Sequence, residues 1–154
     1  MDVLKRIGNA AVVPVVVLDR AEDAVPAARA LLAGGIDVME ITFRTAAGRD
    51  AIAAVARECP EMLVGAGTVL NVAQGREAVE AGAKFIVSPG FSRELIDECA
   101  AQGIPALPGC ATPSEIMDAL DAGLKIVKFF PANVYGGLDA MKALASAFVG
   151  VKFM

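Results

Sequence analysis

The chain has 154 residues, 56% hydrophobic and 21% charged, a composition that excludes general disorder; a domain of this length buries about two-thirds of the surface its unfolded form exposes. Net charge is −4 with no basic cluster interleaved with aromatics, so nucleic acid is not an expected partner. Histidine is absent and the three cysteines lack C-x-x-C spacing, which excludes Ser-His-Asp and H-E-x-x-H mechanisms and gives no support to a disulfide framework, a zinc ribbon or any other metal site.

The first apolar run, Ala10 to Leu18, contains Pro14 and is far shorter than the roughly 20 residues that span a bilayer. No membrane association is expected. Lys5 and Arg6 precede the run as in a signal peptide, but Asp19, Glu22 and Asp23 follow it at once, so it reads as a first strand of a cytoplasmic protein. Being apolar throughout, that strand is predicted to be covered on both faces.

From there one unit recurs: an Ala-rich helical stretch, a glycine, then a short β-branched run. Gly34 or Gly35, Gly82, Gly103 and Gly123 stand where helices should stop, because glycine takes the left-handed conformation at little steric cost. Asn71, Ser92 and Thr112 read as N-caps, and Thr112-Pro113-Ser114-Glu115 adds a first-turn proline and a capping-box glutamate. The predicted strands lie near 12–18, 37–43, 63–69, 85–89, 105–110, 125–130 and 151–154, and the helices near 22–33, 47–58, 72–81, 93–102, 114–122 and 138–147. About seven strands and six helices in alternation, after an N-terminal segment, predict an α/β domain with a parallel sheet over 1–154.

An open doubly wound sheet and a closed (β/α) barrel share this signature. The dinucleotide-binding version of the first is disfavoured, since Val17-Leu18-Asp19-Arg20 stands where G-x-G-x-x-G would be. Polar residues favour the barrel. Alternation puts Glu40, Thr42 and Arg44 on one side of strand 2, Ala66 and Thr68 on one side of strand 3, and Ile126, Lys128 and Phe130 on one side of strand 6. If those sides face inward, Glu40, Arg44, Thr68 and Lys128 converge at the carboxyl ends of their strands, where barrel enzymes carry their chemistry. A plainer account is that Glu40 and Lys128 each reach solvent or form a structural ion pair. Their matching parity in otherwise apolar strands favours a shared role. An amine among apolar side chains is disfavoured as ammonium and therefore nucleophilic toward a ketone. Arg49 and Arg57 read as solvated and Lys125 as facing the other end. Cys110 lies near the site with nothing adjacent to activate a thiolate, and Gly136-Gly137 reads as a turn with Tyr135 covering it.

Glu40-Ile41-Thr42-Phe43-Arg44-Thr45, Gly65-Ala66-Gly67-Thr68-Val69, Ser88-Pro89-Gly90-Phe91, Pro108 to Glu115 and Lys128-Phe129-Phe130-Pro131-Ala132 follow in order. Together they closely resemble the 2-keto-3-deoxy-6-phosphogluconate aldolase and 4-hydroxy-2-oxoglutarate aldolase family, over nearly the whole chain. The resemblance implies a (β/α)8 TIM-barrel type, commonly a homotrimer, acting in the Entner–Doudoroff pathway of carbohydrate metabolism. The reaction it implies is reversible class I cleavage of 2-keto-3-deoxy-6-phosphogluconate to pyruvate and glyceraldehyde 3-phosphate, without a cofactor. It makes Lys128 the Schiff-base lysine, Glu40 the general acid/base, Arg44 and Thr68 the pyruvate carboxylate ligands, and Pro89 and Phe130 pocket walls. The alternatives are a 4-hydroxy-2-oxoglutarate or galactonate-type aldolase, or a non-catalytic keto-acid-binding subunit. A full barrel takes about 200 residues or more, and the family continues past this point with a Pro-Thr-Gly-Gly stretch, so the sequence is expected to be a C-terminally truncated, incomplete barrel that lacks the phosphate-binding loops.

Overall fold

The computed structural model describes residues 2–154. In chain order it contains α1 (Val3–Asn9), β1 (Val15–Val16), α2 (Ala24–Ala33), β2 (Val38–Thr42), α3 (Gly48–Glu58), β3 (Leu63–Gly67), α4 (Val72–Glu80), β4 (Ile86–Ser88), α5 (Arg93–Ala101), β5 (Ala106–Pro108), α6 (Pro113–Asp121), β6 (Ile126–Val127), α7 (Gly137–Ala147) and β7 (Lys152–Phe153). A single 3₁₀ turn, Ala21–Asp23, leads into α2. Several helix boundaries have a local cause. Asn71 and Ser92 accept hydrogen bonds from the N–H groups of Gln74 and Leu95, and Gly35, Gly82, Gly103 and Gly123 all adopt positive φ just past a helix end.

Strands β1 to β5 pair in sequence order, all parallel, and β6 pairs with β7. A bridge between Gly109 and Lys128 joins the two sets, with Lys128 N–H donating to Pro108 O and Cys110 N–H to Lys128 O, both at 2.8 Å. Strictly consecutive order excludes the doubly wound sheet, whose order reverses at a switch point. Curvature of the surface is visible in the packing. Val38, Leu63, Phe85, Leu107, Ile126 and Met154, from β2 through β7, meet in one interior cluster, and Ile7 of α1 plugs its amino-terminal end. Met39, Ile41, Val64, Ala66 and Ile86 point the other way, against the helices. This is a barrel wall curled about a filled interior, and glycines adjust its taper: a Cβ on Gly65 would overlap the ring of Phe85.

Two expectations change. The run 12–18 forms only the two-residue strand β1, and Val12, Val15 and Val17 are about half exposed. Beside β1 only β2 is paired, so its outer flank meets no strand among the described residues and the run is not covered on both faces. The N-terminal segment is a helix, α1, whose seven residues carry too few turns for a helical period to stand out. Among the described residues no helix is long and apolar enough to cross a membrane.

At α6 the capping box is complete: Glu115 N–H donates to the Thr112 hydroxyl oxygen, and the Glu115 carboxylate accepts from the N–H groups of Ala111 and Thr112 at 2.8 and 2.9 Å. Burial pushes the Glu115 carboxyl up, but those N–H groups and the Thr112 hydroxyl outweigh it and hold it below its ordinary value. Glu115→Gln should therefore cost about 1 kcal/mol at neutral pH in urea unfolding. Because the folded-state value is depressed, this contribution is complete above the unfolded value of about 4.3 and fades as pH falls through the lower folded value. The gap between variant and wild type should narrow in acid.

Candidate active site

Inward parity on β2 carries Val38, Glu40 and Thr42, and along β6 and the bridge residue after it Ile126 and Lys128. Thus Glu40 and Lys128 meet across the barrel one layer above the apolar plug. Lys128 Nζ donates to Glu40 Oε1 at 3.3 Å, with the glutamate side chain 1% exposed and the lysine 15%. A carboxylate so deep needs room as well as a partner. Gly67 provides it, since any Cβ there would overlap Oε1 of Glu40. Glu40 thereby lies level with the registered pair Thr42–Gly67.

The ion pair is not finished as a structural pair would be. A buried pair gains stability only when the remaining lone pairs and protons also find partners, yet Glu40 Oε2 is buried with no hydrogen-bond partner among the described residues, and neither has Thr42 Oγ1. The ring of Phe130, at the mouth, lies 5.3 Å from Lys128 Nζ, a cation–π distance. Phe129 turns outward and stacks edge-to-face on Phe153.

Arg44 stands beyond the carboxyl end of β2, and its Nε donates to Thr68 Oγ1 at 3.1 Å. Thr68 gets there by a different route from the one its sequence position predicts. Ala66 packs outward among the helices, so alternation would send Thr68 outward too. Instead β3 ends at Gly67 and Thr68 adopts φ +55°, rare and strained for a β-branched residue, which turns its hydroxyl to Arg44. Such strain costs on the order of 1–3 kcal/mol and collects at functional sites. Pro89 ends β4 and lines a recess of about 220 Å³ with Val69, Leu70, Ser88, Phe91 and Ser92, beside rather than between the charged residues. Ser88 is fixed there by donating its hydroxyl to Gly90 O at 2.7 Å.

Sequence reasoning missed Gly67, whose role depends on an absent side chain, and the unpartnered hydroxyl of Thr42. Other residues sit where expected. Arg49 and Arg57 are exposed and paired with neighbouring acids, and Gly136 and Gly137 make the positive-φ turn before α7. Cys110 is buried, and burial with nearby Glu115 and Asp118 pushes its thiol to about 12, far from thiolate chemistry. A larger hollow of about 670 Å³ lies at the opposite end, lined by Lys5, Arg6, Asn9, Val12 and Asp37. There Arg6 is committed to Asp37 at 2.9 Å and to the Glu61 carbonyl, and no acid–base pair converges. Among the described residues no group of three or more His, Cys, Asp or Glu is placed to hold a metal ion.

A family model described as KDPG and KHG aldolase matches residues 3–154. The 2-dehydro-3-deoxy-phosphogluconate aldolase of Treponema pallidum (strain Nichols) is 52% identical over 143 residues, covering 93% of this chain and 68% of that protein. The KHG/KDPG aldolase of Escherichia coli (strain K12) is 51% identical over 142 residues, covering 92% of this chain and 67% of the relative. Among solved structures, KDPG aldolase from Legionella pneumophila, with pyruvate captured at low pH as a covalent carbinolamine intermediate, superposes with a TM-score of 0.94 at 41% identity. The alignment covers 99% of this chain and 74% of that one.

Gly67→Ala should force the Glu40 carboxylate off Lys128, because the added methyl and Oε1 cannot share that space. A crystal structure of the variant should show the Nζ–Oε1 contact broken, and the overpacked interior should lower the unfolding free energy by about 1–3 kcal/mol. An unmoved Glu40 in a variant of native stability would contradict this account.

Proposed function

The chain belongs to the KDPG and KHG aldolase family, and from that membership we propose that it reversibly cleaves 2-keto-3-deoxy-6-phosphogluconate to pyruvate and glyceraldehyde 3-phosphate through an imine on Lys128. The observation that carries the residue assignment is the 3.3 Å Glu40–Lys128 contact inside the barrel, with the second carboxylate oxygen left unpartnered.

In this reading Glu40 takes a proton from the Lys128 ammonium, the freed amine adds to the keto carbon, and a second nitrogen proton passes to the carbonyl oxygen to give the neutral carbinolamine. Glu40 returns its proton to the carbinolamine hydroxyl, the C–O bond breaks with loss of water, and the nitrogen lone pair closes the C=N bond of the protonated imine. The protonated imine then accepts the electron pair of the breaking C3–C4 bond as an enamine, while Glu40 receives the proton of the C4 hydroxyl as the aldehyde forms. Protonation of the enamine and hydrolysis of the imine release pyruvate and restore the amine. A positioned acid/base of this kind is worth about 10²–10⁴-fold. Arg44 and Thr68, joined at the mouth, are suited to hold the substrate carboxylate by charge-assisted hydrogen bonds and so fix which face of the ketone meets Lys128. Phe130 covers the amine, and Pro89 walls the adjoining recess.

A second substrate class has specific support, because the E. coli relative is named KHG/KDPG aldolase. Cleavage of 4-hydroxy-2-oxoglutarate would use the same pyruvate-forming residues. The setting we propose is a cytoplasmic homotrimer, and exposed Val134, Tyr135 and Leu138, on α7 and the loop before it, are surface of the kind subunits bury.

Pyruvate with borohydride should leave a reduced adduct on Lys128, read by peptide mass. Lys128→Arg should abolish it, since guanidinium keeps its charge and is no nucleophile at neutral pH. An adduct on Lys125, or none on the folded wild type, would overturn the mechanism. Glu40→Gln should still bind pyruvate yet exchange the pyruvate methyl protons at least about 10²-fold more slowly. A wild-type exchange rate would remove Glu40 from the proton transfers.

A further inference from the structure

Resting on the aldolase reading, we infer that Thr42 is a positioning residue of the dehydration step: its buried hydroxyl and Glu40 Oε2 together hold the oxygen that leaves the carbinolamine as water. Thr42 is 1% exposed, and its Oγ1 has no hydrogen-bond partner among the described residues. Leaving a buried hydroxyl unpaired costs about 1–3 kcal/mol, whereas valine of the same shape would carry no such cost. The residue is therefore expensive for the fold as it stands. Its neighbour Glu40, two positions earlier on the same inward face, carries the other unpartnered buried atom, Oε2.

The two residues border one space. Glu40 Oε1 occupies the volume a Cβ on Gly67 would fill, and Gly67 is the registered partner of Thr42 on the adjacent strand. Neighbouring strands lie about 4.8 Å apart. Thr42 and Glu40 thus stand on one inward face, bordering the space in which Oε1 meets the amine. When the keto carbon is bonded to Lys128 Nζ, its hydroxyl needs a proton from one group and a hydrogen bond from another as the C–O bond breaks. Glu40 supplies the proton, and Thr42 donates the hydrogen bond that keeps the departing water in line. In the reverse direction the same pair holds the water that hydrolyses the imine.

Thr42→Val and Thr42→Ser test this through exchange of the pyruvate methyl protons, which requires imine formation. Thr42→Val should lower the maximal exchange rate about tenfold or more, leave the half-saturating pyruvate concentration within about twofold, and unfold at the same or a higher temperature. Thr42→Ser should recover most of the rate. A loss of rate that tracks a loss of stability in both variants would make the residue merely structural, and a wild-type rate in Thr42→Val would overturn the inference while leaving the imine mechanism standing. No exchange and no Lys128 adduct in the wild-type protein would overturn the aldolase reading itself, and this inference with it.

Discussion

A carboxylate inside a barrel needs both a counter-charge and room, and Glu40 obtains the first from Lys128 and the second from Gly67. Neither suffices alone. An unpaired buried carboxylate would cost several kcal/mol, and a side chain at position 67 would displace the carboxylate from the amine. The pairing also orders the architecture, because Lys128 reaches Glu40 only if β6 follows β2 around a curved wall. The bridge from Gly109 to Lys128 is the seam that makes the wall continuous.

Below this layer the interior is ordinary hydrophobic packing, and that contrast matters for chemistry. The Phe85 ring over Gly65, with Val38, Leu63 and Leu107, gives the charged pair a rigid apolar base, sealed at the bottom by Ile7 of α1. Electrostatic interactions gain strength in such surroundings because few solvent dipoles compete. The mouth is different. Arg44 is exposed and Thr68 half-buried, so the two groups proposed to hold a substrate carboxylate are in contact with water.

Two local costs sit within this small region: the left-handed backbone of Thr68, and the unpartnered oxygens of Glu40 and Thr42. The capped and glycine-terminated helices elsewhere carry no comparable penalty. Among the described residues the unmet hydrogen-bonding capacity of buried side chains is concentrated at one end of the interior, where the proposed keto-acid substrate would react.

Sequence alone determined what is decided within a few residues. The Thr112–Glu115 box, the Asn71 and Ser92 caps and the glycine stops depend on one turn of chain, so their side-chain chemistry is already a structural instruction. The inward parity of Glu40 and Lys128 was legible for the same reason, since a strand alternates by two wherever it lies. Tertiary structure decided the rest. Thr68 defied its parity because β3 ends one residue earlier and the backbone reverses sign there. The run 12–18 became a short, half-exposed strand because only β2 pairs with it, and Gly67 acquired its role from a glutamate distant in sequence. Those outcomes depend on which surfaces the folded chain brings together, and a local pattern carries no information about a neighbour that arrives only through space.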